Sequence, residues 1–443
     1  MSVAKRSKPS PEEILAIQAL RKERKEKKEL ELLAAANNGA LAVKSSLLAR
    51  PWLTVSQPES SSTCRVRLLS WNLLAQCLVR RELFPTSDCL KAAQREHMIH
   101  EELSRQNADI LCLQEVDRLE KLLPMLENAG YSHHYASGRG KQHGCLIAFK
   151  KTMYSLISSK VVFYDEENIG MDRTVNRLGG SFKTRNIGNL VALRSNANEN
   201  EGVVIGTTHL FWHPRYTYER TRQTAILVRE LLAFREEKAS NTWPCIIGGD
   251  FNFTPSDPAY SLLSGNDLLE SQIDAIKPSL VVHASLDSRV LNNLPTVLSA
   301  SAEEESEDAD PDKVITNARP ATAEDGLLTV SELSDWFSKL PSLHSAHDEG
   351  LKAARREGNV VPTYGDRISL PSGRKGTCEP SYTSYTHYWQ SVLDYIFFID
   401  GVNRPVTVTG LLAPLHESDL VPGLPKKGIS GSDHTCLVAE LSW

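Results

Sequence analysis

Residues 246–255 read IIGGDFNFTP. An apolar run ends in two glycines and is followed at once by Asp250, Phe251 and Asn252. One reading is a buried strand that stops at a turn, because Gly, Asp and Asn are ordinary turn formers. A second reading is an oxygen-rich site, with a carboxylate and an amide two residues apart offering ligands to a hard cation or donors to a phosphate. Ten residues fit both, so the choice depends on what the rest of the chain places beside them.

The chain has 443 residues, 41% of them hydrophobic and 24% charged, an ordinary globular balance sufficient for one large or two medium domains. Its formal net charge is −5, so any nucleic-acid binding must come from a local basic patch rather than from a global field. The 8 cysteines form no CxxC pair and keep no regular spacing. That excludes a cysteine-rich zinc site and a disulfide framework, and leads to the expectation of a reducing, intracellular setting, cytoplasmic or nuclear. No apolar run approaches the roughly 18–20 residues that cross a bilayer, and the start of the chain lacks a secretory apolar core, so no membrane partner is expected.

Outward from residue 250 the pattern is of strands and helices in mixed order. Residues 64–74 (CRVRLLSWNLL), 109–115 (DILCLQE), 144–151 (GCLIAFKK), 186–195, 202–210, 243–250, 392–400, 405–412 and 434–443 read as strands by alternation or by short apolar runs. Residues 89–106, 117–129 and 217–238 read as helices, the last with charged and apolar faces. Several strands follow one another directly, which suits two stacked mixed sheets with flanking helices better than one parallel sheet. Residues 11–36 read as a charged helix outside the fold and 37–63 as a linker, with the catalytic domain starting at 64. The acidic stretch near 299–320 is expected to be partly disordered. In 321–337, Gly326, Leu328 and Glu332 fall at EF-hand positions, but Ala321 and Ala323 stand where ligands are needed, so the segment reads as a turn and a plain helix.

The ends of these strands carry one kind of chemistry. Asn72 ends the first, Glu115 the second and His209 the 202–210 strand; Asp250 and Asn252 end the central one; Asp394 lies early in the next; Asp433 and His434 open the last. Any one of these is an ordinary turn residue or a satisfied histidine. Six strand ends carrying only Asn, Asp, Glu or His, eight residues in all, form a set, and functional groups concentrate where rigid strands hand over to loops. Carboxylate and amide oxygens suit Mg²⁺ or Mn²⁺ rather than zinc. Glu115 and Asp250 are the candidate cation ligands, with Asn72 and Asn252 as amide partners. His434 is the candidate acceptor of a proton from water and Asp394 the group that orients its imidazole. His209 is a candidate donor to a phosphate oxygen or the leaving group. Neither a GxSxG elbow nor a Walker A loop is present. The reaction class that fits is metal-assisted phosphodiester hydrolysis.

SWNLLAQ (70–76), LCLQEV (111–116), TTHLFWHP (207–214), GGDFNFTP (248–255), LDYIFF (393–398) and SGSDH (430–434) occur in the order seen in the endonuclease/exonuclease/phosphatase superfamily, which the chain resembles from about residue 64 to the end. The 266–380 region matches poorly. Through THLFWHP the chain is most similar to the branch of carbon-catabolite-repressor-type deadenylases, nocturnin, Angel and the Ngl-type RNA exonucleases. The resemblance implies a four-layered α-β-β-α sandwich of two mixed sheets, DNase I-like, with the site at the sheet edges. It implies a Mg²⁺ (or Mn²⁺) cofactor on Glu115, with Asp250, Asn252 and His434 gathering a second ion or the scissile phosphate. It implies Asn72 and His209 on the phosphate, Asp394 paired with His434, and Pro214 with Trp389 about the terminal base. A stacking aromatic holds a single-stranded base with about 1–3 kcal/mol.

The function so implied is 3′→5′ exoribonuclease action by a monomer on single-stranded RNA 3′ ends, with 5′-mononucleotides as products and poly(A) or a structured RNA as the target. Lys183, Arg185 and Arg215 are candidates to track the RNA backbone, or plain surface charge. No leucine-rich repeat precedes residue 64, so the resemblance is to the shorter members. Two other readings stay open at this stage: a phosphatase for a small phosphorylated metabolite or dinucleotide, and an RNA-binding scaffold without catalysis.

Overall fold

The computed structural model describes residues 47–56, 64–171, 176–293 and 317–443, so the expected 11–36 helix and most of the acidic stretch lie outside the described residues. A seven-stranded sheet runs in the order β1 (Trp52–Thr54), β16 (Thr407–Leu412), β17 (Leu437–Ser442), β2 (Arg65–Asn72), β3 (Ile110–Val116), β5 (Gly144–Lys150), β4 (Tyr131–Ser137). A six-stranded sheet runs β12 (His344–Ser345), β15 (Asp394–Ile399), β9 (Cys245–Asp250), β8 (Gly202–His209), β7 (Ile187–Ser195), β6 (Tyr154–Phe163). Two short pairs, β10 (Val281–His283) with β11 (Ala318–Pro320) and β13 (Ser384–Tyr385) with β14 (Gln390–Ser391), sit beside them. The parallel pairs are β2–β3 and β8–β9. Each needs a crossover, supplied by helix α1 (Ala92–Gln106) in one case and by a long helix, Thr217–Lys238, in the other.

Three apolar clusters define four layers. Val66, Leu68, Ile110, Ile147, Val203, Ile205, Ile246, Ile396, Phe398 and Leu437 meet between the sheets. Leu69, Trp71, Leu111, Leu113 and Val438 cover the outer face of the first sheet beneath Ile99 and Leu103 of α1 and Leu122 and Leu126 of α2 (Leu119–Asn128). Leu190, Val204, Ile247, Tyr395 and Phe397 cover the outer face of the second beneath α3 (Thr217–Lys238), α4 (Pro258–Leu263), α5 (Glu270–Ile276) and α6 (Val330–Ser338). Each fully buried aliphatic or aromatic side chain contributes about 1.5–3 kcal/mol. These layers therefore supply the stability against which a polar cluster is held.

Strand alternation then places that cluster. Side chains two apart share a face, so each inward-facing row can be followed to its end. In β2 it reads Leu68, Ser70, Asn72; in β8, Ile205, Thr207, His209; in β9, Ile246, Gly248, Asp250; in β15, read backwards, Phe398, Ile396, Asp394. At one end of the sandwich the inter-sheet core turns from apolar to polar in four neighbouring strands. Gly248 shows why glycine precedes the acid. A Cβ there would lie 3.0 Å from the Cβ atoms of both Ser70 and Cys112 in the opposite sheet. The sheets close onto the missing side chain, and Asp250 comes within reach of Asn72.

Several expectations change. Residues 37–63 are not all linker: Trp52–Thr54 pair with Gly410–Leu412 as the edge strand β1, so the fold begins before residue 64. Ala318–Pro320, at the end of the acidic stretch, form β11 rather than disorder. The last strand begins at Leu437, and Asp433 and His434 sit in the loop before it. Strands β4 and β6 carry many Ser, His and Lys residues and gave no strand signal, since both lie at sheet edges and are half exposed. Glu219, Arg222, Arg229 and Glu230 of α3 are buried at 4% exposure or less, because the 160–181 segment pairs with them: Ser181 donates to Glu219, Lys160 to Glu230, and the carbonyls of Tyr164 and Leu178 accept from Arg222 and those of Asn168 and Gly170 from Arg229. The 321–337 segment does form a turn and a helix, capped by the Thr329 hydroxyl accepting from the Glu332 N–H.

Candidate active site

Asn72 joins the two sheets at their polar end. Its Nδ2 donates to Glu115 Oε1 at 2.8 Å and to Asp250 Oδ2 at 2.9 Å, while its Oδ1 accepts from the Leu74 N–H at 2.9 Å. Glu115 reaches this position by a local irregularity. Alternation alone would turn it outward with Leu111 and Leu113, but the β3–β5 register shifts between Leu113 and Val116 and Glu115 adopts a φ of 54°. Such a bulge re-aims a side chain, and a non-glycine residue in the left-handed region is held there only by its surroundings. The holding contact is the Ala75 N–H, which donates to Glu115 Oε2 at 2.8 Å. Asn252, also left-handed at φ 51°, donates its backbone N–H to Asp250 Oδ1 at 3.0 Å and its side-chain amide to Leu210 O at 2.9 Å. The Asp-Phe-Asn turn and the oxygen-rich site are thus one structure.

Asp394 stands opposite Asp250 in the antiparallel β9–β15 register. Its Oδ2 accepts from His434 Nδ1 at 2.7 Å, which fixes the proton on Nδ1 and leaves Nε2 3.7 Å from Asp250 Oδ2 and 4.0 Å from Asp433 Oδ2. His209 completes the ring, with Nδ1 3.8 Å from Glu115 Oε1 and Nε2 3.7 Å from Asp250 Oδ2. Asn72, Asp250 and Asp394 are at most 1% exposed, and Glu115 and His434 at most 9%.

Burial, then the neighbouring charge of Asp394, pushes the Asp250 carboxyl up to about 8. Burial acts to lower His434, but the charges of Asp394, Asp433 and Asp250 outweigh it and hold the imidazole well above its usual value. Acids this crowded and this dry call for a compensating cation. Asp394 Oδ1 is buried without a hydrogen-bond partner. Asp250, Asp394 and His434 offer ligand atoms within 4.8 Å of one another, the group among the described residues that could hold a metal ion. Glu115 adjoins this group through Asn72. The donor set is oxygen-rich with little nitrogen, which fits a hard divalent cation.

The loop bearing His434 is tightly held. His434 O accepts from Trp71 Nε1 at 2.9 Å and Ser430 Oγ at 2.8 Å, and Ser432 Oγ donates to Asn72 O at 2.6 Å. Arg95, 3% exposed, donates to Gly431 O at 2.7 Å, to Leu73 O at 2.6 Å and to Leu74 O. Sequence reasoning missed Arg95, because its partners are carbonyls of distant segments. It also missed His143, 6% exposed, whose ring centroid lies 6.4 Å from that of His209.

Pro214 and Trp389, expected about the terminal base, lie in different segments of the fold. Pro214 lies in the β8–α3 loop, where Arg220 fixes the carbonyls of His213 and Pro214. Trp389 lies at the β13–β14 hairpin, packs edge-on against Phe84 at 6.2 Å and donates from Nε1 to Ser384 Oγ at 3.2 Å. The strands that these two segments adjoin, β8 and β15, flank β9 on either side. Lys183, Arg185 and Arg215 are exposed. Arg185 is left-handed at φ 56° with its N–H donating to Asp165 Oδ2 at 2.7 Å.

The sequence profile of the endonuclease/exonuclease/phosphatase family matches residues 69–434. A "Probable RNA exonuclease C9B6.11c" of Schizosaccharomyces pombe is 28% identical, over 90% of this chain and 80% of the relative. "RNA exonuclease NGL2" of Saccharomyces cerevisiae is 27% identical, over 89% of this chain and 78% of the relative. Among solved structures, that of ANGEL2, described as a 2′,3′-cyclic phosphatase, superposes with a TM-score of 0.56 at 22% identity, over 89% of this chain and 98% of the other. The human Nocturnin catalytic domain superposes with a TM-score of 0.50 at 19% identity, over 89% and 97%. At these identities the structural likeness speaks to the fold.

Proposed function

The chain belongs to the endonuclease/exonuclease/phosphatase family, and from that premise we propose that it is a divalent-cation-dependent 3′→5′ exoribonuclease, hydrolysing phosphodiesters at single-stranded RNA 3′ ends to 5′-mononucleotides. The observation that carries this reading is the convergence of Asn72, Glu115, His209, Asp250, Asp394 and His434 on one rim. Relatives named as RNA exonucleases align with about nine-tenths of this chain, which supports RNA as the substrate class.

Glu115, Asp250 and Asn252 are the residues that would hold Mg²⁺ or Mn²⁺, with Asp394 and His434 beside them. When bound, the cation would neutralise charge on the scissile phosphate. Asp394 keeps the His434 proton on Nδ1, so Nε2 is the atom that meets water or a phosphate oxygen. Asn72 holds Glu115 and Asp250 at fixed separation. His209, between the same two carboxylates, is placed to donate to a phosphate oxygen. Pro214 and Trp389 would contact the terminal base, and poly(A) is one substrate among those to be compared.

The test is incubation of 5′-labelled single-stranded RNA with purified protein and Mg²⁺. Stepwise shortening from the 3′ end, release of 5′-mononucleotides and arrest by EDTA are expected. Internal fragments, or release of inorganic phosphate alone, would refute the assignment.

A further inference from the structure

The short segment that opens the described fold touches the catalytic loop at both of its ends. The Leu48 N–H donates to Gly428 O at 2.7 Å, where the loop begins. Arg50 NH1 donates to Cys436 O at 2.9 Å, two residues past His434, and Arg50 Nε donates to Ala413 O at 2.8 Å. The segment is itself anchored. Leu47 is buried with Cys89 and Met98, Arg105 NH1 donates to the carbonyls of Leu47 at 3.3 Å and Leu48 at 3.0 Å, and β1 pairs with β16. The Cys436 thiol is 3.3 Å from Arg50 NH1 and donates to Glu102 Oε1 at 3.2 Å, so α1 and the segment grip the same residue.

We propose that residues 47–50 bracket the 428–436 loop and that Arg50 is a positioning residue for His434. This rests on the reading of His434 as a reacting group. A buried carbonyl needs a donor, and the planar guanidinium donates to two carbonyls of separate segments at once, which a smaller side chain would not. Without Arg50, Cys436 O and Ala413 O lose these donors, and the far end of the loop is left to the Cys436 thiol on Glu102 and the Thr435 N–H on Thr383 O. The His434 imidazole then samples positions away from Asp394. Displacements on the order of 1 Å at a reacting group cost about 100-fold in rate.

The experiment uses the full chain in three variants, Arg50→Met, Arg50→Lys and Leu48→Pro, the last deleting the N–H that serves Gly428. Hydrolysis of single-stranded RNA with Mg²⁺ gives kcat and KM, and amide hydrogen exchange is followed over 428–436 and over β9. Arg50→Met should lower kcat about 10- to 100-fold with KM within about twofold, and should speed exchange in 428–436 while β9 stays protected. Arg50→Lys should recover part of the rate, and Leu48→Pro should reproduce the effect in weaker form. An unchanged kcat with unchanged exchange, or a loss of protection spread equally over 428–436 and β9, overturns the bracket. If Arg50→Met does not fold, Leu48→Pro decides alone by the same two readouts. His434→Ala separates the two claims. If that variant turns over as fast as the parent, the reading of the site has failed, and exchange over 428–436 alone judges the bracket.

Discussion

Asp250 and Asp394 face each other across the antiparallel β9–β15 pair, and the His434 imidazole reaches both, at 3.7 Å from Asp250 Oδ2 and 2.7 Å from Asp394 Oδ2. Two buried carboxylates do not both stay ionised beside one imidazole, so burial and the charge of Asp394 push Asp250 up to about 8, and a bound cation would let both ionise. The consequences can be measured.

Replacing Asp394 by Asn keeps the shape and removes the acceptor that fixes the His434 proton on Nδ1. The imidazole then turns the wrong nitrogen toward Asp250. A fall in kcat of roughly 10³–10⁴ is expected by analogy with other acid–histidine pairs, with KM changed far less. Steady-state kinetics on a short single-stranded RNA measures both, and a kcat within tenfold of the parent would show that Asp394 does not act through His434.

Asp250→Asn should abolish turnover with little net change in stability. Burial and the charge of Asp394 hold the parent carboxyl at about 8, so the amide removes a charge penalty, but its NH2 faces one of the two donors that Asp250 accepts from, Asn72 Nδ2 or the Asn252 N–H, and that mismatch costs about 1–3 kcal/mol. Saturating Mg²⁺ should raise the Tm of the parent, since a ligand at 100 times its Kd contributes about 2.7 kcal/mol, but should leave Asp250→Asn unmoved. Thermal denaturation with and without Mg²⁺ reads both effects, and an equal cation-induced shift in both proteins would place the ion elsewhere.

Gly248→Ala tests the approach of the two sheets. Its new methyl would sit 3.0 Å from the Cβ atoms of Ser70 and Cys112, and overpacking of this kind costs about 1–3 kcal/mol. Because the opening occurs two residues from Asp250, kcat should fall along with stability. Adding Ser70→Gly should restore part of both, and a double variant no better than the single one would argue against the contact.

Trp389→Ala should weaken substrate binding with little effect on folding, since the ring is partly exposed. A stacking contribution of about 1–3 kcal/mol corresponds to roughly 5- to 150-fold in Kd. Binding of a non-hydrolysable RNA, followed by fluorescence anisotropy, should show it, whereas an unchanged Kd would remove Trp389 from the substrate path.

Glu379 gives a pH dependence away from the site. It is fully buried, accepts from the Tyr260 hydroxyl at 2.8 Å, and is pushed by burial and then by Asp348 from 4.5 up to about 8. The folded protein therefore keeps this proton after the unfolded chain has released it. The associated stability is complete below the unfolded value and is lost as pH rises toward about 8. Glu379→Gln should raise Tm relative to the parent at about pH 8 and change it little at about pH 5. Denaturation curves at both values decide, and equal shifts at both would mean that the carboxyl is ionised throughout.

What the sequence made legible was whatever alternation and turn chemistry encode locally. The Ile246–Asp250 strand, the 217–238 helix and the placement of Asn72, His209, Asp250 and Asp394 at strand ends all follow from short-range pattern. Glu115 was legible as a strand-end acid, but the bulge that turns it inward was not, because nothing in LCLQEV marks a left-handed residue. Strand β1 escaped because three residues after a proline carry no period, and its strand identity comes from pairing with β16 some 350 residues later. Arg95 and Arg50 escaped for a related reason. Their partners are backbone carbonyls, which every residue has, so no residue type betrays the contact. The Pro214–Trp389 placement came from resemblance, and the hairpin packing of Trp389 on Phe84 could not have been read from SYTHYWQSV.

The most direct test of the account is a Mn²⁺ titration, followed by the loss of its free electron-spin-resonance signal, for the parent, Glu115→Gln and Asp250→Asn. If both sheets contribute to one cation site, both substitutions weaken Mn²⁺ binding by at least about tenfold and depress RNA hydrolysis in parallel. Parent-like Mn²⁺ affinity in both variants, with hydrolysis intact, would contradict it.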